Sequence, residues 1–338
     1  MDKVKIELNK VSEEELLNTK ICDLPLEIAG TWIETCVHKL YDELAKKNIK
    51  FLPEVYFADE WLAPNKEPVV GIPFYLAHNR LMKLEDKIML DVEGGNKRRC
   101  MMLLRHEAGH AINYAYKLFK RKQWKGIFGD FSKEYKDSYK FRPYSKSFVR
   151  HLEDYYAQYH PDEDFAETFA VWLDPLSAWR RKYSGWKALE KLEYVDRLMS
   201  GIANKDPLVA FGKKYWAAKT LKIKLKNYYK KRREYVAEDF PDFHDENLKK
   251  IFHMEKTISS MPVHLFLNRH KKEIISSISL WSGERKYVIS DILSKILKRA
   301  KELELFVQDP FEEYILRVAV YLTAMVMNYR HTGKLKGI

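Results

Sequence analysis

Cysteine is scarce: Cys22, Cys36 and Cys100 are the only three in 338 residues. An odd, widely spaced set makes neither a disulfide framework nor a C-x-x-C metal site, and it fits a reducing compartment. Long apolar runs are missing too. No stretch approaches the length of a membrane helix, and the opening Met1-Asp2-Lys3-Val4-Lys5-Ile6-Glu7 lacks the apolar centre of a secretory signal. These absences set the expectation of a cytoplasmic protein. Between Lys219 and Arg233 the missing element is acid. Lys219, Lys222, Lys224, Lys226, Lys230, Lys231, Arg232 and Arg233 stand there with no Asp or Glu among them. Such a run attracts nucleic acid, an acidic membrane or an acidic protein partner, although a solvated helix face is the plainer account. Tyr228 and Tyr229 interleave with it, but no nucleic-acid motif accompanies them.

What is present suffices for a sizeable core. The chain is 46% apolar and 14% aromatic, with 32% charged residues and a net charge of +12, which suits two or three soluble domains.

The run from Asn96 to Lys120 holds no proline and carries Arg105-His106-Glu107-Ala108-Gly109-His110, an H-E-x-x-H pattern. One long helix is the natural reading. Positions four apart stack on one helix face, so His106 and His110 point at the same spot. Two imidazoles so placed can hold a zinc ion, with Glu107 beside them in reach of a water. The plainer account makes them ordinary polar residues of a half-buried helix. Gly109 counts against it, because an interior glycine costs a helix about 1 kcal/mol relative to Ala and so points to close packing there. Cys100, on the same helix, reads as a buried small hydrophobe rather than a nucleophile.

A catalytic zinc needs a third protein ligand and an open fourth position. Downstream, Pro161 is placed to start a helix in which Phe165, Ala166, Phe169, Ala170 and Leu173 fall at helical spacing. Glu163 and Glu167 share a face beside that stripe. A carboxylate there needs a partner to offset its desolvation, and a metal or a ligand histidine would serve.

H-E-x-x-H followed by a helix bearing E-x-x-A-[D/E] resembles the gluzincin metallopeptidases. The E-x-x-A-E form standing here, Glu163 to Glu167, is similar to that of lethal-factor-like members. The blocks R-H-E-A-G-H-A and E-D-F-A-E-T-F-A also resemble a bacterial group of zinc-binding metallopeptidases, over about residues 96 to 175. The resemblance implies Zn2+ on His106, His110 and Glu163, with Glu107 as general base and Glu167 as the carboxylate that orients a ligand histidine. It implies hydrolysis of peptide bonds in a peptide or protein substrate. In lethal-factor-like enzymes a tyrosine seven residues ahead of the glutamate ligand stabilises the oxyanion, and that offset lands on Tyr156. Tyr155, Tyr159 and Arg150 are rivals, and each tyrosine is also explained as a packing residue. Three other readings stay open. One is a zinc-bearing binding or regulatory protein without peptidase activity, against which the retained Glu107 argues. Another is a nucleic-acid-associated protease that uses the basic C-terminal part. The last is a hydrolase of a non-protein amide such as a cell-wall peptide, which the missing export signal disfavours.

The expected fold is α+β and predominantly helical: a zincin-like catalytic domain with a small N-terminal sheet, plus an all-α C-terminal domain. Residues 1–95 form the α/β part of the catalytic lobe, 96–205 its zinc-binding helical part, and 206–338 the basic helical domain. Ser12 to Glu15 reads as a capping box, and Thr31 to Lys47 as an amphipathic helix. Strands are expected at 51–57, 69–76 and 87–92, with Pro73 marking an edge that an extended peptide could pair with. Residues 123–160 are loop-like and hold Tyr135, Tyr139, Tyr144, Tyr155, Tyr156 and Tyr159, with Pro143 among the loop markers. Helices follow at 187–202, 208–236, 245–260, 264–281, 287–305 and 310–330.

Overall fold

The computed structural model describes residues 7–135, 142, 144–152, 155–233 and 244–332. Among them helix dominates and the sheets are small, which makes this a predominantly helical α+β protein. The chain separates into two compact units, one of residues 1–85 and 92–226, the other of 86–91 and 227–338.

The first unit opens with α1 (Glu13–Asn18), where Ser12 and Glu15 close the expected capping box. Helix α2 (Trp32–Lys46) buries Ile33, Cys36, Val37, Leu40 and Leu44 along one stripe. Strands β1 (Glu54–Ala58) and β2 (Val69–Pro73) pair in parallel, from Glu54 opposite Val69 to Ala58 opposite Pro73. Leu62 and Gly71 also exchange backbone hydrogen bonds of 3.3 and 2.7 Å. A Cβ at Gly71 would stand 2.4 Å from Leu62 Cδ2 and 2.9 Å from the Ala58 Cβ, so that contact requires glycine.

No third strand forms at 87–92. Lys87 to Met89 instead end α3 (Asn79–Met89), whose buried positions include Leu81, Leu84 and Met89. Alternation of Ile88, Leu90 and Val92 is too short a window to outweigh a helical period already running from Asn79.

Helix α4 (Lys97–Ala115) is capped by Asn96, whose side chain accepts the Arg99 N–H at 3.0 Å. Every residue from Leu103 to Ala115 is buried, so α4 runs through the interior rather than over it. After α5 (Lys122–Phe128) comes α6 (Pro161–Leu173), buried along its whole length. Helices α4 and α6 pack on each other. At their closest approach a Cβ on Gly109 would lie 2.9 Å from Ala166 Cα and 3.2 Å from Ala166 O. The glycine between the histidines is therefore a packing requirement. Arg105 ties α4 to α2 through a buried two-pronged pair with Glu43, at 2.7 and 2.8 Å.

Beyond α7 (Trp179–Lys182) and α8 (Ala188–Ile202), the expected helix at 208–236 is confined to α9 (Leu225–Arg233), and 234–236 lie outside the described residues. Residues 208–223 satisfy part of their backbone across the unit instead. Leu208 and Val209 N–H donate to the Ala115 carbonyl, and the Leu221 and Ile223 carbonyls accept from Cys22 and Ile21.

The second unit holds α10 (Asp245–Ile251), α11 (Val263–Ser282), α12 (Lys286–Glu302) and α13 (Glu312–Thr332), with α11 packed on both α12 and α13. Its one ladder among the described residues joins β3 (Met261–Pro262) to β4 (Phe306–Val307) antiparallel. Helix α10 stops well before residue 260 because His253 pairs its backbone with Phe306 instead. No helix among the described residues is long and apolar enough to cross a membrane.

Candidate metal centre

Helices α4 and α6 bring three side chains to one point. His106 and His110 stand one turn apart on α4, and Glu163 lies in the first turn of α6. The two Nε2 atoms are 3.2 Å apart, and Glu163 Oε2 lies 3.1 Å from that of His106 and 3.2 Å from that of His110. Ligands held about 2.0–2.1 Å from a tetrahedral zinc stand about 3.3–3.4 Å from one another, so the triangle has the right size.

The far sides of the rings decide which atoms carry protons. His106 Nδ1 lies 2.9 Å from Glu167 Oε1, and His110 Nδ1 lies 3.0 Å from Asp162 Oδ2. Glu167 accepts an N–H at Nδ1 of His106 and so leaves its Nε2 a lone pair, while Asp162 meets His110 Nδ1 as a charge contact without hydrogen-bond alignment. The ionised Glu163 oxygen adds another lone pair. Three atoms able to ligate a cation thus converge on one point. The three residues could hold a metal ion.

The same convergence shifts the proton affinities of these groups. Burial opposes the imidazolium of His106, yet Glu163 and Glu167 outweigh it and hold its pKa at about 9. The same contest, with Asp162 and Glu163 as the partners, leaves His110 raised. Burial pushes the Glu163 carboxyl up, but His110 and His106 pull it well below the usual carboxylate range.

A further layer of hydrogen bonds fixes the carboxylates. Leu152 N–H donates to Glu167 Oε2 at 2.9 Å. Asp162 accepts from Asn113 Nδ2 at 2.8 Å and from the Tyr114 hydroxyl. The Tyr135 hydroxyl donates to Glu163 Oε1 at 3.0 Å, and its ring stacks on His160 with centroids 3.9 Å apart. His160 in turn caps α6, its Nδ1 accepting the Asp162 N–H at 3.1 Å while Nε2 donates to the Lys133 carbonyl at 2.7 Å. Asp162, Glu163 and Asp164 in that first turn lie where the helix dipole favours negative charge.

The triangle opens on a cleft of about 560 Å³, lined also by Trp61, Leu62, Glu107, Phe131 and Tyr156. Burial pushes the Glu107 carboxyl up to about 7, against the pull of His106 and His110. The Tyr156 ring stands 5.6 Å from that of His106. Burial, with Glu163 adding to it, raises the Tyr156 hydroxyl, which therefore stays protonated as a donor. Tyr159 packs its ring against Tyr135 and Tyr156. Arg150 and Tyr155 meet each other, guanidinium to ring centroid 5.6 Å, and do not line the cleft. Tyr139 and Pro143 lie outside the described residues.

Nothing in the sequence analysis marks Asp162, Asn113, Tyr114 or His160. Their trace is faint: an acid directly before Glu163, and polar groups one turn beyond His110.

No curated protein and no solved structure matches the chain. Residues 91–197, which contain α4, α6 and all three corners of the triangle, match the family described as "putative zinc-binding metallo-peptidase".

Proposed function

We propose that the protein is a cytoplasmic, gluzincin-type zinc endopeptidase. One observation carries this reading: Nε2 of His106, Nε2 of His110 and Oε2 of Glu163 converge within 3.2 Å of one another beside a cleft that Glu107 also lines. The family match over residues 91–197 supports it.

His106, His110 and Glu163 would hold the ion, with Glu167 and Asp162 fixing the two rings from behind. A zinc ion so held supplies a Lewis acid for the scissile carbonyl and makes water more acidic. Glu107, the one cleft carboxylate given no role in the ligand set, takes a proton from water and passes it to the leaving amine. Tyr156 donates its hydroxyl to the developing oxyanion. An extended peptide finds a backbone to pair with in the Trp61–Lys66 segment, where Leu62 bridges antiparallel to Gly71 and Trp61, Ala63, Asn65 and Lys66 line the cleft.

The test combines elemental analysis with a peptide-library digest. The expected result is about one zinc per wild-type chain, lost in His110→Ala and Glu163→Ala. Glu107→Gln keeps the metal and loses hydrolysis. A folded wild type that takes up no divalent metal overturns the reading, and turnover surviving in Glu107→Gln removes the assigned base.

A further inference from the structure

Between Pro207 and Lys226 the first unit carries a segment that the metal centre does not use. It holds Lys213, Lys214, Lys219, Lys222, Lys224 and Lys226, and no Asp, Glu or Arg. The segment is not a loose tail. Leu208 and Val209 N–H donate to the Ala115 carbonyl at 2.9 and 3.0 Å, and the Tyr56 hydroxyl donates to the Tyr215 carbonyl at 2.9 Å. Cys22 and Ile21 N–H donate to the Leu221 and Ile223 carbonyls at 2.9 and 3.0 Å.

On that anchored backbone large apolar side chains face solvent. Leu208 is 69% exposed, Phe211 84% and Trp216 55%. Trp216 also has φ 49°, a left-handed conformation that a bulky residue keeps only where its surroundings impose it. Large hydrophobic side chains held out to water this close together in the chain point to an interaction site. Lys213 stands between them in the chain, and Lys219, Lys222, Lys224 and Lys226 follow; these last four are exposed and enter no ion pair among the described residues, whereas Lys214 is paired with Glu54.

We propose that this segment docks the protein on an anionic membrane surface. Leu208, Phe211 and Trp216 enter the boundary between headgroups and acyl chains, and the lysines meet the acidic headgroups. Lipid fits better than nucleic acid on one count. Within the segment all the cations are lysines, point charges suited to a diffuse negative surface, and the guanidinium forks of the basic run, Arg232 and Arg233, belong to the second unit.

The experiment is co-sedimentation of the full-length protein with vesicles of phosphatidylcholine, alone or with about one lipid in three replaced by phosphatidylserine. Much stronger binding to the anionic vesicles than to the neutral ones is the expected result. Lys219→Gln, Lys222→Gln and Lys224→Gln combined should weaken it about fivefold for each lysine removed. Leu208→Ser and Phe211→Ser with Trp216→Gly, glycine being at ease at that φ, should leave a purely electrostatic attachment. That attachment vanishes at ~1 M salt, where the Debye length is about 3 Å, while part of the wild-type binding persists. Circular dichroism and zinc content matching the wild type show that the variants fold. The proposal is overturned if wild type ignores anionic vesicles, binds neutral ones equally, or is unaffected by the lysine substitutions. A single-stranded oligonucleotide that displaces the vesicles would assign the surface to nucleic acid and overturn it as well.

Discussion

Asp162 Oδ2 lies 3.0 Å from Nδ1 of His110, while the next residue along, Glu163, reaches Nε2 of the same ring at 3.2 Å. Neighbouring carboxylates on α6 therefore hold opposite edges of one imidazole. His106 is held in the same way, between Glu163 and Glu167. One helix supplies both the acceptor that joins the metal triangle and the acids that turn each histidine toward it.

Asp162→Asn and Glu167→Gln are expected to bind zinc about 10–100-fold more weakly than the wild type while keeping the fold, the usual cost of losing a partner behind a ligand histidine. Glu163→Ala should lose stoichiometric zinc outright. Competition with a chromophoric chelator reads all three. Wild-type affinity in Asp162→Asn would mean that Asp162 serves the α6 cap and not His110.

Gly109→Ala tests the helix crossing. Alanine favours an isolated helix by about 1 kcal/mol, but the new Cβ would lie 2.9 Å from Ala166 Cα, which is backbone and cannot swing away. Overpacking of that kind costs about 1–3 kcal/mol and wins. A lower urea midpoint with an unchanged slope is expected, together with weaker zinc binding as α4 and α6 separate. A stabilised variant would show that the two helices have slack.

The candidate metal site was legible because its spacing is local. Four-residue spacing puts His106 with His110 and Glu163 with Glu167 on single helix faces, and the glycine between the histidines announces the contact with Ala166. Asp162 was not legible, since an acid at a helix start is explained by the dipole alone. Neither was the helix at 79–89, where Ile88, Leu90 and Val92 alternate as a strand would. The scarcity of glycine makes 208–236 read as helix, yet the Ala115 carbonyl and the Ile21–Cys22 backbone compete for hydrogen bonds of residues 208–223. Pairings so distant in sequence leave no periodic trace.

Glu43→Ala is expected to destabilise the first unit by about 3–5 kcal/mol, because Arg105 would keep its charge in the interior with only Asp174, 3.4 Å from Nη1, to meet it. Most of that loss should return in Glu43→Ala combined with Arg105→Leu, which removes the stranded charge. Denaturant unfolding of both variants checks the pair. If the double variant is as unstable as the single one, shape rather than charge is what Glu43 contributes.

In the second unit, His244 sets an acid limit on stability. Burial, reinforced by Lys295 of α12 and opposed by Asp245 of α10, holds its pKa down at about 4. Its Nδ1 lies 3.0 Å from the Tyr321 hydroxyl of α13, a contact in which the neutral ring accepts. In the unfolded chain the same group titrates near 6.5. Between about pH 6.5 and 4 the unfolded state therefore binds a proton that the native state refuses, and stability falls as the pH drops through that window. Above it the contribution is constant. Discounted for partial solvation, the loss is roughly 1–2 kcal/mol. His244→Asn cannot take up the proton, so its unfolding free energy should fall less steeply than that of the wild type over this range, all other groups titrating alike in both. Parallel curves would mean that His244 is charged, or free to become charged, in the folded protein.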